Sequence, residues 1–172
     1  MNVEGFNGAT DDDARRLLLT CLDAPHWADR VLAGRPYDTI GEVEAAMVVA
    51  SAAISDEELE HALARHPRIG ERADADRHDA TQSTREQSGV DRDDADLARR
   101  LREGNRAYED RFGRVFIVRA AGRSGTDILE HLRQRLDNSD ELERAATIDQ
   151  LIQIAVLRMR EQLGETRGEG AS

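Results

Sequence analysis

The sequence predicts an all-α, single-domain helical bundle of about seven to eight helices with one short extended connector. Three observations carry that expectation. Apolar residues recur at steps of three and four along most of the chain, helix-opening signatures precede several of these runs, and only one β-branched stretch interrupts them. Residues 1–10 are expected to form a flexible N-terminus, residues 11–163 the helical domain, and residues 164–172 a disordered tail. From Asp11 to Leu22, the positions Ala14, Leu17, Leu18, Cys21 and Leu22 form one apolar face behind an acidic first turn. Val43 to Ile54 is apolar on most sides, which predicts a buried helix. Ser55-Asp56-Glu57-Glu58 reads as a capping box opening a short helix through Leu59 and Leu63 towards Arg65. Glu71 to Gln82 is almost wholly polar and predicts a mobile loop. Asp91 to Phe112 carries Leu97, Leu101, Tyr108 and Phe112 on one stripe. Thr126 to Leu136 and Asp140 to Leu163 complete the helical set. Val115-Phe116-Ile117-Val118, between Gly113 and Gly122, reads as a strand, but a lone strand makes no sheet. It is therefore expected as an extended connector whose main-chain groups need another partner.

Composition excludes several chemistries. The chain has 172 residues and a formal charge of −11, a balance that repels phosphate backbones, and no basic patch offsets it. Nucleic acid is therefore not expected as a partner, and neither is a membrane, since no long apolar run or basic-apolar leader is present. All 24 basic residues are arginine. Without lysine there is no Schiff base, no pyridoxal-phosphate attachment and no P-loop lysine. Cys21 is the only cysteine, which rules out an internal disulfide or a cysteine-rich zinc site and fits a reducing cytoplasm. Its setting, Leu17-Leu18-Leu19-Thr20-Cys21-Leu22, favours a core thiol over a nucleophile. His61, His66 and His78 lie among acids, but His61 and His66 cannot share a helical face and no HExxH is present, so no metal is expected.

Three places could carry chemistry. His66 is followed by Pro67, which disfavours helical continuation, and an imidazole with a pKa of about 6.5 suits proton transfer. Locally it is also what a surface histidine after a helix end looks like. Ser83-Thr84-Arg85-Glu86-Gln87 is a capping box in its simplest reading. The same helix start would offer amide donors, Ser83 and Gln87 to a planar polar ligand. Arg158 lies in a nearly all-apolar helix, on a face expected to point inward, where a guanidinium needs either a structural acid or an anionic ligand.

Taken in order, His66-Pro67-Arg68-Ile69-Gly70, Ser83-x-x-Glu86-Gln87, Asn105-x-x-Tyr108, Arg111-Phe112-Gly113, Val115-Phe116-Ile117-Val118 and Arg158 resemble the OHCU decarboxylase family. Together with Gly122-Arg123-Ser124, the His-Pro-Arg-Ile-Gly form is similar to that family's bacterial branch. The resemblance implies an all-α fold and a cofactor-free decarboxylation of 2-oxo-4-hydroxy-4-carboxy-5-ureidoimidazoline (OHCU) to (S)-allantoin in urate breakdown. It implies His66, Glu86 and Arg158 as catalytic residues. It further implies a substrate pocket lined by Pro67, Ser83, Glu86, Gln87 and Arg158, with Phe116, Ile117, Val118, Arg119 and Ala120 contacting substrate largely through the main chain. Other implied features are a small-molecule substrate and urate oxidase and hydroxyisourate hydrolase as pathway neighbours; a homodimer is expected only from how common homodimers are, and the cytoplasm from the single cysteine. Without the resemblance, the charge also fits a non-catalytic acidic helical adaptor that binds a basic partner.

Overall fold

The computed structural model describes residues 1–69 and 88–164, the side chains of 88–92 excepted. The fold is all-α, with eight helices and no strand among the described residues. The expected loop over Glu71 to Gln82 lies outside the described residues, as do residues 165–172 of the expected tail. The chain forms two compact units, Met1–Arg65 with Ile148–Ser172 and His66–Thr147.

The first unit begins with α1 (Val3–Gly8), α2 (Asp11–Cys21) and α3 (Pro25–Ala33). The expected flexible N-terminus is instead ordered, because Phe6 is fully buried and Asn2 caps α1 through the Gly5 amide at 2.8 Å. Arg35 then donates to the carbonyls of Phe6 and Ala9 at 2.8 and 2.9 Å, closing the turn that follows α1. Neither α1 nor α3 is announced by a long apolar period, so periodicity alone misses both. Helix α3 starts on a proline with no side-chain cap of its own. Glu58 supplies one, its Oε1 accepting from the amides of His26 and Trp27 at 2.7 and 3.3 Å.

Helix α4 (Ile40–Ser51) stops three residues before the expected Ile54. It is also less buried than expected. Val43, Met47 and Ala50 face the core, while Val48 and Val49 are exposed, so a helix apolar on most sides buries only one of them. Helix α5 (Asp56–Leu63) carries the expected capping box between Ser55 and Glu58. The core of this unit gathers Phe6, Leu18, Trp27, Val31, Met47, Leu151 and Met159, and Cys21 joins it at 1 % exposure. Burial pushes the Cys21 thiol pKa up, as a core role requires and a nucleophile does not.

The second unit contains α6 (Ser88–Phe112) and α7 (Gly125–Leu136). Helix α8 (Asp140–Leu163) starts within it and runs on into the first unit. Gly113, at φ 67°, ends α6 in the left-handed region while its amide still reaches the Glu109 carbonyl at 2.8 Å. Gly122, at φ 75°, sits in the turn closed by Arg123 N–H to the Ala120 carbonyl. Between these glycines runs the connector, without regular structure. Its residues Phe116 and Val118 pack with Leu101, Tyr108, Ile128, Leu129 and Leu132 in the unit's core. A second capping box, Ser124 with Asp127, then opens α7. Hydrogen bonds from the Ser124 main chain and side chain hold the Asp127 carboxyl below the usual range.

Candidate functional site

His66 lies just past α5 and is half-buried, while Pro67 beside it is exposed. The two residues that follow are pinned from α6. Arg68 forms a two-pronged ion pair with Glu109, Nε to Oε1 at 2.6 Å and Nη2 to Oε2 at 2.9 Å. The Asn105 side-chain amide donates to the Ile69 carbonyl at 2.9 Å. Asn105 and Glu109 are four residues apart, so they share one face of α6 and grip consecutive residues of the same short segment. A segment with no secondary structure of its own is thereby fixed at its C-terminal side.

The same helix carries the second anchor. Tyr108 is fully buried, and its ring meets Phe116 edge-on at 5.2 Å between centroids. Its hydroxyl donates to Glu143 Oε1 at 2.5 Å. Glu143, 0 % exposed, also receives Arg135 through Nε at 2.8 Å and Nη2 at 2.5 Å, and its other oxygen accepts from Asn138 at 3.0 Å. Arg135 Nη2 reaches Thr147 Oγ1 at 3.2 Å as well, and Nη1 donates to the Ile117 carbonyl. The connector's need for a partner outside a sheet is thus met in part from within, at the Ile117 carbonyl. Phe116 and Val118, 1 % and 4 % exposed, make no main-chain hydrogen bond among the described residues. Buried main-chain groups of that kind call for a ligand or water.

Arg119 is half-buried and Ala120 exposed at the end of the connector. Arg158 is exposed rather than inward, and its Nη1 donates to the Cys21 carbonyl at 3.1 Å, at the end of α2. The apolar residues around it do not bury it, because Met159 and Ala155 hold the inner face of α8. Ser83, Glu86 and Gln87 lie outside the described residues. His61 is committed elsewhere, paired with Asp23 at 2.9 Å beside Arg65 at 2.7 Å. No cluster of three metal-ligating side chains occurs among the described residues.

Sequence reasoning missed Arg135 and Glu143. A signal was present: Arg135 follows Ile128 and Leu132 on the inward stripe of α7, and Glu143 precedes Thr147 and Leu151 on that of α8.

Comparison with known proteins adds sequence and fold relatives. The profile of a family described as OHCU decarboxylase matches residues 7–160. A 2-oxo-4-hydroxy-4-carboxy-5-ureidoimidazoline decarboxylase of Haloferax volcanii is 29 % identical over 140 residues, covering 81 % of this chain and 82 % of that protein. A uric acid degradation bifunctional protein of Bacillus sp. (strain TB-90) is 24 % identical over 162 residues, 94 % of this chain and 32 % of the longer protein. Among solved structures, an OHCU decarboxylase crystallised in the presence of (S)-allantoin superposes with a TM-score of 0.67 at 21 % identity. That match covers 91 % of this chain and all of the other, and it supports the fold.

Proposed function

Because this chain belongs to the OHCU decarboxylase family, we infer that its reaction is the decarboxylation of 2-oxo-4-hydroxy-4-carboxy-5-ureidoimidazoline to (S)-allantoin, run without a cofactor and with His66 as acid and base. The observation that best supports this site is the double anchoring by α6. One helix grips the segment after His66 through Asn105 and Glu109, and packs the connector through Tyr108. Rigid placement of a proton donor and of main-chain groups for a planar ring is what the reaction asks of a protein.

The chemistry needs little more. The bond from ring carbon to carboxylate breaks and CO₂ leaves; the electron pair forms a C=C bond to the adjacent ring carbon, and the electrons of that carbon's C=N bond move onto its nitrogen, which takes a proton. The substrate is thus its own electron sink. The hydroxyl on the first carbon then gives up its proton as a carbonyl forms, and a proton is delivered to one face of the adjacent ring carbon. His66 is suited to these transfers near neutral pH. Pro67 and the main chain of Phe116 to Ala120 hold the ring in this proposal. Arg158 and, outside the described residues, Ser83, Glu86 and Gln87 enter it through the family resemblance, with Glu86 orienting the imidazole. A homodimer in the cytoplasm, working beside urate oxidase and hydroxyisourate hydrolase, completes the reading. Among the described residues no helix is long and apolar enough to cross a membrane.

The test follows circular dichroism while urate oxidase and hydroxyisourate hydrolase supply fresh OHCU. The protein is expected to give a rapid (S)-allantoin signal, and His66→Asn to abolish it with the helical spectrum unchanged. A slow racemic rise equal to the protein-free control would overturn the reaction, and a fully active His66→Asn would overturn the role of His66.

A further inference from the structure

The connector that this proposal turns towards substrate has neither helix nor sheet to fix it. Main-chain groups that read a ligand must nonetheless be held to within about 0.5 Å. Among the described residues, the one hydrogen bond to the main chain of Phe116, Ile117 and Val118 comes from Arg135. The guanidinium that makes it is itself held on every side. Two of its nitrogens meet Glu143 Oε1, one of these also meets Thr147, and its plane lies over the rings of Phe116 at 4.7 Å and Tyr108 at 5.9 Å. Glu143 is locked in turn by Tyr108 and Asn138.

Stability alone does not account for such a cluster. A buried ion pair gains little over well-packed apolar residues of equal volume, because desolvation offsets the attraction. What a planar, multiply bonded guanidinium does supply is a fixed direction for its remaining N–H group. Here that group points at the carbonyl of Ile117, between two buried residues whose main chain makes no hydrogen bond among the described residues.

We propose that Arg135, locked by Glu143, is a positioning residue for the decarboxylation: it sets the main chain of Phe116 to Val118 for substrate without touching substrate itself. The inference rests on the reaction proposed above. Arg135→Lys keeps the charge opposite Glu143 but replaces the fork with a single ammonium, so the Ile117 carbonyl loses its directed donor.

The experiment measures KM, kcat and the enantiomeric excess of allantoin for wild type, Arg135→Lys, Glu143→Gln and Thr10→Ala. The last variant removes the α2 cap and is a control for lost stability alone. Arg135→Lys is expected to raise KM about tenfold, the equivalent of one charge-assisted hydrogen bond, and to lower the enantiomeric excess. Thr10→Ala is expected to melt earlier with KM and enantiomeric excess unchanged. Glu143→Gln keeps an acceptor for the fork but weakens it, and should fall between wild type and Arg135→Lys. It also serves as the deciding variant if Arg135→Lys does not fold. Folded variants with wild-type KM and enantiomeric excess would overturn the positioning role. A wild-type protein that forms no (S)-allantoin would overturn the reaction, and this inference with it.

Discussion

The Tyr108 hydroxyl is buried and donates to a carboxylate, so ionising it would set two negative charges against each other in a dry core. Burial first, and the bond to Glu143 second, push its pKa from 10.0 up to about 12. The folded value therefore lies above the unfolded one. The associated stability is fully present below pH 10.0 and is lost as pH rises towards about 12. Burial also raises Tyr37 and Cys21, which adds a loss of the same sign. Wild type is thus expected to lose stability across this window more steeply than Tyr108→Phe, as followed by urea denaturation at a series of alkaline pH values. Equal slopes would remove Tyr108 from the account. At this scale the sequence was only partly legible. An inward arginine does need an anion, but the inward one is Arg135, paired with Glu143, and not Arg158, which the structure leaves exposed. Helical phase separates the two poorly where apolar residues surround the whole helix, as they do near Arg158.

Gly104 is one place where α6 packs tightly against α7. A Cβ built there would stand 2.4 Å from Leu132 Cδ2, a side chain with no exposed surface to move into. Alanine normally improves a helix interior by about 1 kcal/mol over glycine. Here overpacking is expected to outweigh that gain, so Gly104→Ala should lose about 1–3 kcal/mol in a denaturant titration. Adding Leu132→Ala should recover part of the loss from the clash, a coupling that a double-mutant cycle would read directly. Most elements were legible because their signals are local. The Ser55–Glu58 box and the stripe from Leu97 to Phe112 each fall within a few turns. Helix α3 was not, since its N-terminal amides are capped by Glu58, thirty-two residues away from His26. The order of residues 1–10 likewise depends on Arg35 and Tyr37.

For the molecule as a whole, the enzyme and adaptor readings differ in one inexpensive measurement. A ligand that binds only the folded state stabilises it, by about 2.7 kcal/mol at a hundred times its dissociation constant. Saturating (S)-allantoin is therefore expected to raise the melting temperature by several degrees, and an indifferent melt would count against a product-binding pocket. The all-α class was accessible from helical periodicity, and the family from an ordered set of motifs that includes the His66 segment. The grip of Asn105 and Glu109 on that segment was not, because it joins residues some forty positions apart. One buried side chain now acquires a further use. Trp27 is the chain's single tryptophan, wholly shielded and hydrogen-bonded through its indole to the Met47 carbonyl at 3.0 Å. It belongs to one compact unit, whereas Tyr108 belongs to the other. With Tyr37, which shares the unit of Trp27, replaced by phenylalanine, indole fluorescence and tyrosinate absorbance report on different halves of the chain. Superimposed denaturation curves from the two signals would mean all-or-none melting, and separated ones a half-melted intermediate.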